Sequence, residues 1–173
     1  MPKVENNNTD KAWIIRPLSN IGIEVEAVTR LVLDAFTEFI AADYTPEGRQ
    51  EIEEYLNPKE FSTRIRSGKF FILVAASRDK NELIGMIEVE SLQHITLLFV
   101  DKRHHGQGIA RALLEAAVNR CRSGSPSDAM PKITVHASRF GVPAYKRLGF
   151  IPQGPEKQQD GRVFLPMVLS PNP

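Results

Sequence analysis

Apolar residues recur along this chain with two different periods, and the switch between them divides it. Ala12 to Arg16 is a short apolar run stopped by Pro17, which predicts a first strand. From Ile21 to Ala42, Ile23, Ala27, Leu31, Ala35 and Phe39 return every fourth residue and form one broad apolar stripe, which predicts a helix. Tyr44-Thr45-Pro46 breaks the stripe. Thr45 suits a cap, Pro46 the first helical position and Glu47 the first turn of a second helical region, Pro46 to Ser67, interrupted at Asn57-Pro58. The pattern then becomes β-like. Phe70–Ala76 and Leu83–Glu90 flank Arg78-Asp79-Lys80-Asn81, which suits a hairpin, and Gln93–Val100 is a third such run. Helical spacing returns from Gly106 to Arg122, with Ala110, Leu113, Leu114, Ala117, Val118 and Cys121 on one face. After a Gly/Ser/Pro loop from Ser123 to Pro131 come a short strand, Lys132–His136, and a short helix, Phe140–Leu148, stopped by Gly149. A last strand, Arg162–Leu169, contains Pro166, which marks an edge or a bulge.

The order β, α, α, three antiparallel strands, α, β, α, β predicts a single α/β (α+β) domain over residues 12–170. Its sheet is mixed rather than parallel and doubly wound. Residues 1–11 are polar and Asn-rich, with no apolar core of a signal peptide, and are expected to be a disordered tail.

Charge changes this picture little. The formal net charge is +1, which argues against a nucleic-acid partner. Cys121 is the one cysteine and fits the apolar helix face as a small core residue, so no internal disulfide and no Cys-rich metal site are expected. That usage suits a reducing, cytoplasmic setting. No apolar run approaches the roughly 20 residues of a membrane span, so no membrane partner is expected. His94, His104, His105 and His136 lack metal-site spacing, and no catalytic metal is expected.

The chemistry concentrates where the third β-run ends. Phe99-Val100 leads into the basic segment Lys102-Arg103-His104-His105, which closes with Gly106-Gln107-Gly108 and becomes a helix. Glycines there allow close approach to the backbone, and a helix start offers free N–H groups and partial positive charge to a phosphate. A P-loop is excluded, because no Gly-x4-Gly-Lys-Ser/Thr string exists. A dinucleotide fingerprint needs a small residue three positions after Gly108, where Arg111 stands, and it normally follows the first strand of a βαβ unit.

His105-Gly106-Gln107-Gly108-Ile109-Ala110 instead resembles the Arg/Gln-x-x-Gly-x-Gly/Ala signature of the GCN5-related N-acetyltransferases (GNAT). Downstream, Ala144-Tyr145-Lys146-Arg147-Leu148-Gly149-Phe150 is similar to the family's Tyr-x-x-x-Gly-Phe hallmark. Both motifs stand in the family's order and at its usual separation, within elements matching its fold over about Trp13 to Leu169. The resemblance implies a GNAT-like mixed sheet of about six to seven strands flanked by four helices. It also implies an acetyl-CoA site. The backbone N–H groups of Gly106, Gln107, Gly108, Ile109 and Ala110 would hold the pyrophosphate, and the strand Leu98-Phe99-Val100 would pair with the pantetheine arm. That arm would lie in a gap between Gln93–Val100 and Lys132–His136. His105 takes the place of the family's leading Arg or Gln, with Lys102, Arg103 and His104 beside it to add charge. Ser138 takes the place of a common Asn seven residues before the Tyr.

The implied activity is direct, acetyl-CoA-dependent transfer of an acetyl group to a primary amine of a small molecule or peptide. A backbone N–H near Val100 would stabilise the oxyanion of the tetrahedral intermediate. Tyr145 matches the family's frequent general acid, and a phenol with a pKa near 10 suits a thiolate leaving group. Two residues compete as the base. His94 falls, by a period of two, on the face of Thr96, Leu98 and Val100. Glu88 lies on the neighbouring strand, on one face with Glu90. Phe36, Phe39, Tyr44 and Tyr55 fall where the family walls its acceptor pocket. The alternative reading is a non-catalytic acyl-CoA sensor on the same fold, and the family allows a homodimer through the late strands.

Overall fold

The computed structural model describes residues 11–124 and 131–170. The tail expected at residues 1–11 falls, but for Lys11, outside the described residues, as does most of the loop Ser123–Pro131. The elements run β1 (Trp13–Pro17), α1 (Ile21–Phe39), α2 (Pro46–Tyr55), α3 (Pro58–Arg66), β2 (Phe70–Ser77), β3 (Leu83–Glu90), β4 (His94–Val100), α4 (Ile109–Gly124), β5 (Thr134–Ala137), α5 (Val142–Arg147), β6 (Phe150–Pro152), β7 (Lys157–Gln159) and β8 (Arg162–Leu169).

The helix starts follow the capping chemistry. Asn20 Oδ1 accepts from the N–H groups of Gly22 and Ile23, Thr45 Oγ1 from Gly48 and Asn57 Oδ1 from Lys59. Asn57 and Pro58 do more than interrupt the second helical region. They end one helix and begin another, so five α-helices rather than four flank the sheet among the described residues. Among the described residues the sheet has eight strands, in the order β1-β2-β3-β4-β5-β8-β6 with β7 paired to β8. The two strands that the pattern of β-runs lacks are β6 and β7, too short to show a period. Pro166 does not mark an edge, since β8 lies between β5 and β6. Its carbonyl accepts from Gln153 N–H just past the end of β6. In a strand the nitrogen of a residue points to the same side as its carbonyl, so the missing N–H faces the irregular gap before β7.

Each face of the sheet carries its own core. Leu113, Leu114, Ala117 and Cys121 of α4 and Tyr145 of α5 pack with Ile87, Val89, Ile95, Val135 and Ala137 on one face. Val25, Val28 and Val32 of α1 and Phe61 of α3 pack with Ile72, Val74, Met86 and Leu97 on the other. Cys121 is buried there as expected, and burial pushes its thiol up to about 11.

Two irregularities position the site. β3 and β4 pair regularly from Gly85–Val100 to Glu88–Leu97 and resume at Val89–Ile95, which leaves Thr96 as the extra residue of a bulge. In addition, β4 and β5 are parallel neighbours only at His94–Thr134 and Ile95–Val135. Past those pairs the strands separate.

Candidate active site

The separation of β4 and β5 opens a cleft of about 780 Å³ that reaches both faces of the sheet. Leu98, Phe99 and Val100 line it from β4, and Val135, His136 and Ser138 from β5 and beyond. This is the gap expected between the fourth and fifth strands. Another groove, of about 860 Å³, lies outside α1. Several of its charged residues are in ion pairs: Lys102 with Glu38, Arg103 with Asp101 and Glu82, and Glu24 with the nearby Arg16. Lys102 and Arg103 therefore turn away from the cleft, and they do not add charge to it as expected.

The glycine loop forms one end of the cleft. His105, Gly106, Gly108, Ile109 and Ala110 line it, while Gln107 does not. Gly106 and Gly108 have φ of +75° and +77°, and no heavy atom lies within 4 Å of where a Cβ would stand on either. The loop thus alternates left-handed residues beside open space, ahead of a helix whose first N–H groups have no partner within the helix. His105 Nε2 lies 2.8 Å from the Val100 carbonyl, so its ring ties the loop to the end of β4. The cations on the wall are Arg111, Arg139 and Arg147. Arg111 Nη2 donates to the Arg147 carbonyl at 2.9 Å and joins α4 to the end of α5. A phosphorylated ligand fits this end, since it offers a backbone cradle, a helix start and positive side chains.

Tyr145 reaches the same cleft from the α4–α5 face. Its ring packs edge-on against Phe150 at 5.2 Å and is 9% exposed. Burial raises the phenol above its ordinary value of 10.0, so it holds its proton across the physiological range.

The two candidate bases fare differently from what their spacing suggested. Glu88 is fully buried and does not line the cleft. Its carboxylate accepts from the Tyr55 hydroxyl, from Thr96 Oγ1 at 2.6 Å and from Arg64 Nη2 at 3.1 Å. His94 is not on the face of Leu98 and Val100. The bulge at Thr96 adds one residue, so His94 pairs with Glu90 on the opposite, α1–α3 face. It does not line the cleft, and its Nδ1 lies 2.8 Å from Thr134 Oγ1.

His136 does line the cleft, and sequence reasoning passed it over. Val135 and Ala137 point into the α4–α5 core, so His136 between them faces the other way. Its ring stacks on Phe164 at 4.1 Å and meets His94 edge-on at 4.9 Å. Burial first, then the neighbouring His94, Arg162 and Lys157, lower it below its ordinary 6.5, and burial alone lowers His94. Both rings are therefore neutral at neutral pH. The signal was present as a histidine on the strand beside the cleft, but the gap's far wall could not be paired with β4 before the register was known.

Of the four aromatic residues expected at the acceptor wall, Phe36, Phe39 and Tyr44 line the cleft, whereas Tyr55 turns to Glu88. Phe39 stacks on Phe140 at 4.5 Å and lies 6.0 Å from the His105 ring. Arg139 pairs with Asp43 and Glu156, fixing the β5–α5 loop to the segment after α1. No helix among the described residues is long and apolar enough to cross a membrane.

Known proteins agree with this architecture. The family model of the acetyltransferase (GNAT) domain matches residues 40–171. An uncharacterized N-acetyltransferase of Bacillus subtilis (strain 168), YitH, is 26% identical over 108 residues, which cover 62% of this chain and 36% of YitH. The chain thus matches about a third of the length of that curated relative. Among solved structures, a GCN5-related N-acetyltransferase of Rhodopseudomonas palustris superposes with a TM-score of 0.73 at 16% identity, over 92% of this chain and 96% of that one. The PaiA N-acetyltransferase of Thermoplasma acidophilum, solved in complex with coenzyme A, gives 0.69 at 19% identity over 91% and 98%. These structures share the fold, and the domain model spans the bulge, the glycine loop and the Tyr145 helix alike. With its split mixed sheet and both motifs on the walls of one cleft, the chain belongs to the GNAT acetyltransferase family.

Proposed function

We propose that this chain transfers the acetyl group of acetyl-CoA directly to a primary amine. The observation that carries the reading is the split between β4 and β5, with a glycine cradle at one end and two proton-handling groups, Tyr145 and His136, entering from opposite faces. Gly106, Gly108, Ile109 and Ala110 would hold the phosphates, and the free edge of Leu98, Phe99 and Val100 would align the pantetheine amides. Ser138 on the facing wall adds a short hydroxyl. Acetyl-CoA supplies an activated thioester, and transfer forms one C–N bond and breaks one C–S bond.

The chain's own part is to move two protons. His136, neutral and exposed to the cleft, takes the proton of the incoming ammonium, and His94 at 4.9 Å backs it. Tyr145 gives its proton to the departing thiolate. Its raised affinity for that proton keeps the donor loaded. Glu88 holds the bulge from below and takes no proton from the amine, because all its partners are protein groups. These assignments replace His94 and Glu88 as the direct base.

The test is to incubate the chain with acetyl-CoA and a range of primary amines, measuring both free CoA thiol and acetylated amine. Stoichiometric appearance of the two is expected. Tight acetyl-CoA binding with no acetylated product would turn the reading into that of an acyl-CoA sensor.

A further inference from the structure

The acetyl-transfer reading leaves the acceptor open, and the far end of the cleft narrows it. Past Thr96 and His136 the cleft continues onto the α1–α3 face, where Phe36, Ile40, Tyr44, Ile52 and Leu97 line it. Phe36 and Tyr44 meet edge to face at 5.1 Å, and burial raises the Tyr44 phenol above its ordinary value. This wall is apolar and aromatic apart from the Tyr44 phenol, with the Thr96 hydroxyl and the His136 imidazole where it meets the strand gap.

The charges are distributed one way. Among the described residues no Asp or Glu lines the cleft, while Arg111 and Arg147 do, together with Arg139, whose charge is taken up by Asp43 and Glu156. The carboxylates near its walls are engaged by protein groups and do not line it. Glu88 is enclosed by Arg64, Tyr55 and Thr96, and Asp43 and Glu156 are both held by Arg139. An acceptor with a second ammonium would therefore lose water without gaining an anion, which is strongly unfavourable. A site for a polycation would need free carboxylates along its length. A monoamine on an apolar body meets the opposite condition, since its single ammonium gives up its proton at His136. Its body is buried against aromatic and branched side chains, and its nitrogen ends beside Thr96 and His136.

We infer that the acceptor is a small monoamine with an aromatic or branched alkyl body, and not a diamine or polyamine. The inference rests on the acetyl-transfer reading only for the fate of the amine, and its binding can be measured without turnover.

The full chain is saturated with CoA, and calorimetry compares 2-phenylethylamine and 3-methylbutylamine with 1,4-diaminobutane and spermidine. The monoamines are expected to bind at least tenfold more tightly. With acetyl-CoA they are expected to be acetylated with at least tenfold higher kcat/KM. Ile52→Glu, which adds a carboxylate from α2, is expected to reverse the order of binding. Tighter binding of 1,4-diaminobutane or spermidine to the unaltered chain would overturn the acceptor class while leaving acetyl transfer intact. Failure of all four amines to bind would overturn it as well. Monoamines that bind but are never acetylated would overturn the transferase reading and leave the pocket chemistry standing.

Discussion

The Thr96 hydroxyl donates to the Glu88 carboxylate at 2.6 Å, and Thr96 is the residue by which β4 slips out of register with β3. The bulge and the buried ion pair are thus one unit. Arg64 lies over the Tyr55 ring at 3.5 Å and bonds the Tyr55 carbonyl at 2.9 Å, so α2 and α3 are tied to the same carboxylate.

Glu88→Gln should be a stability variant before it is an activity variant. It leaves Arg64, with a side chain 11% exposed, without its anion. Breaking a buried pair in this way costs about 3 kcal/mol, or a fall of roughly 6–12 °C in melting temperature for a chain of this size. Thermal and urea denaturation with CoA titration measure it. An unchanged melting temperature with turnover abolished would return Glu88 to the role of base.

Tyr145→Phe removes one hydroxyl and keeps the packing against Phe150. Turnover should fall roughly 100-fold or more, the range of a lost general acid, while CoA affinity stays within about twofold of the original. Steady-state kinetics and isothermal titration separate the two. Unchanged kcat removes Tyr145 from the proton inventory.

His136→Gln should flatten the acid limb of the pH–rate profile. The base acts when neutral, and its pKa lies below 6.5, so kcat/KM of the original chain should fall only as pH drops below that value. The same direction governs stability. A histidine whose folded pKa is depressed contributes stability above its unfolded value, and this is lost as pH falls through 6.5 toward the folded pKa. His94 adds to that loss. An acid limb that persists in His136→Gln but disappears in His94→Gln would exchange their roles.

His105→Ala cuts the 2.8 Å link from the glycine loop to Val100. Loss of one such hydrogen bond is worth about 1 kcal/mol, or roughly fivefold in affinity for CoA. His105→Arg tests a different property, since it adds a fixed cation at the place where the family carries Arg or Gln, and tighter CoA binding is expected. Titration of both variants against CoA decides whether the ring serves as a tether, a charge or neither.

Gly161→Ala should loosen the acceptor side. Gly161 has φ of +68°, its carbonyl accepts from Thr45 N–H at 2.9 Å, and a Cβ there would collide with Thr45 Oγ1. The turn between β7 and β8 is thereby pressed onto the start of α2. The expected loss is about 2 kcal/mol, with KM for the amine rising more than KM for acetyl-CoA. An unaffected melting temperature would show that the turn moves aside freely.

Much of this site could be read along the chain, and the misses have a common cause. The glycine loop, the Tyr145 helix and the wall residues Leu98, Phe99, Val100 and Ser138 are set by local sequence, and they meet in one cleft. A period of two assigns His94 to the wrong face, because it holds only while a strand keeps step with its neighbour, and Thr96 breaks the step. Glu88 looked available because nothing local to β3 announces Arg64, 24 positions earlier in the chain. Nothing local marks His136 either, since its position depends on where β5 leaves β4. The short strands β6 and β7 carry no periodicity, and they exist because β8 offers them an edge.

The separation of β4 from β5 also has a mechanical consequence. The sheet is two panels, β1 to β4 and β5 to β8, whose direct strand contact is two residue pairs, so it works as a wedge closed at one corner. A molecule seated along the open side touches both panels and acts as a strut between them. Occupancy should therefore stiffen the relative motion of the halves far more than it changes either half, and amide exchange along Leu97–Val100 and His136–Ala137 should slow together when the wedge is filled.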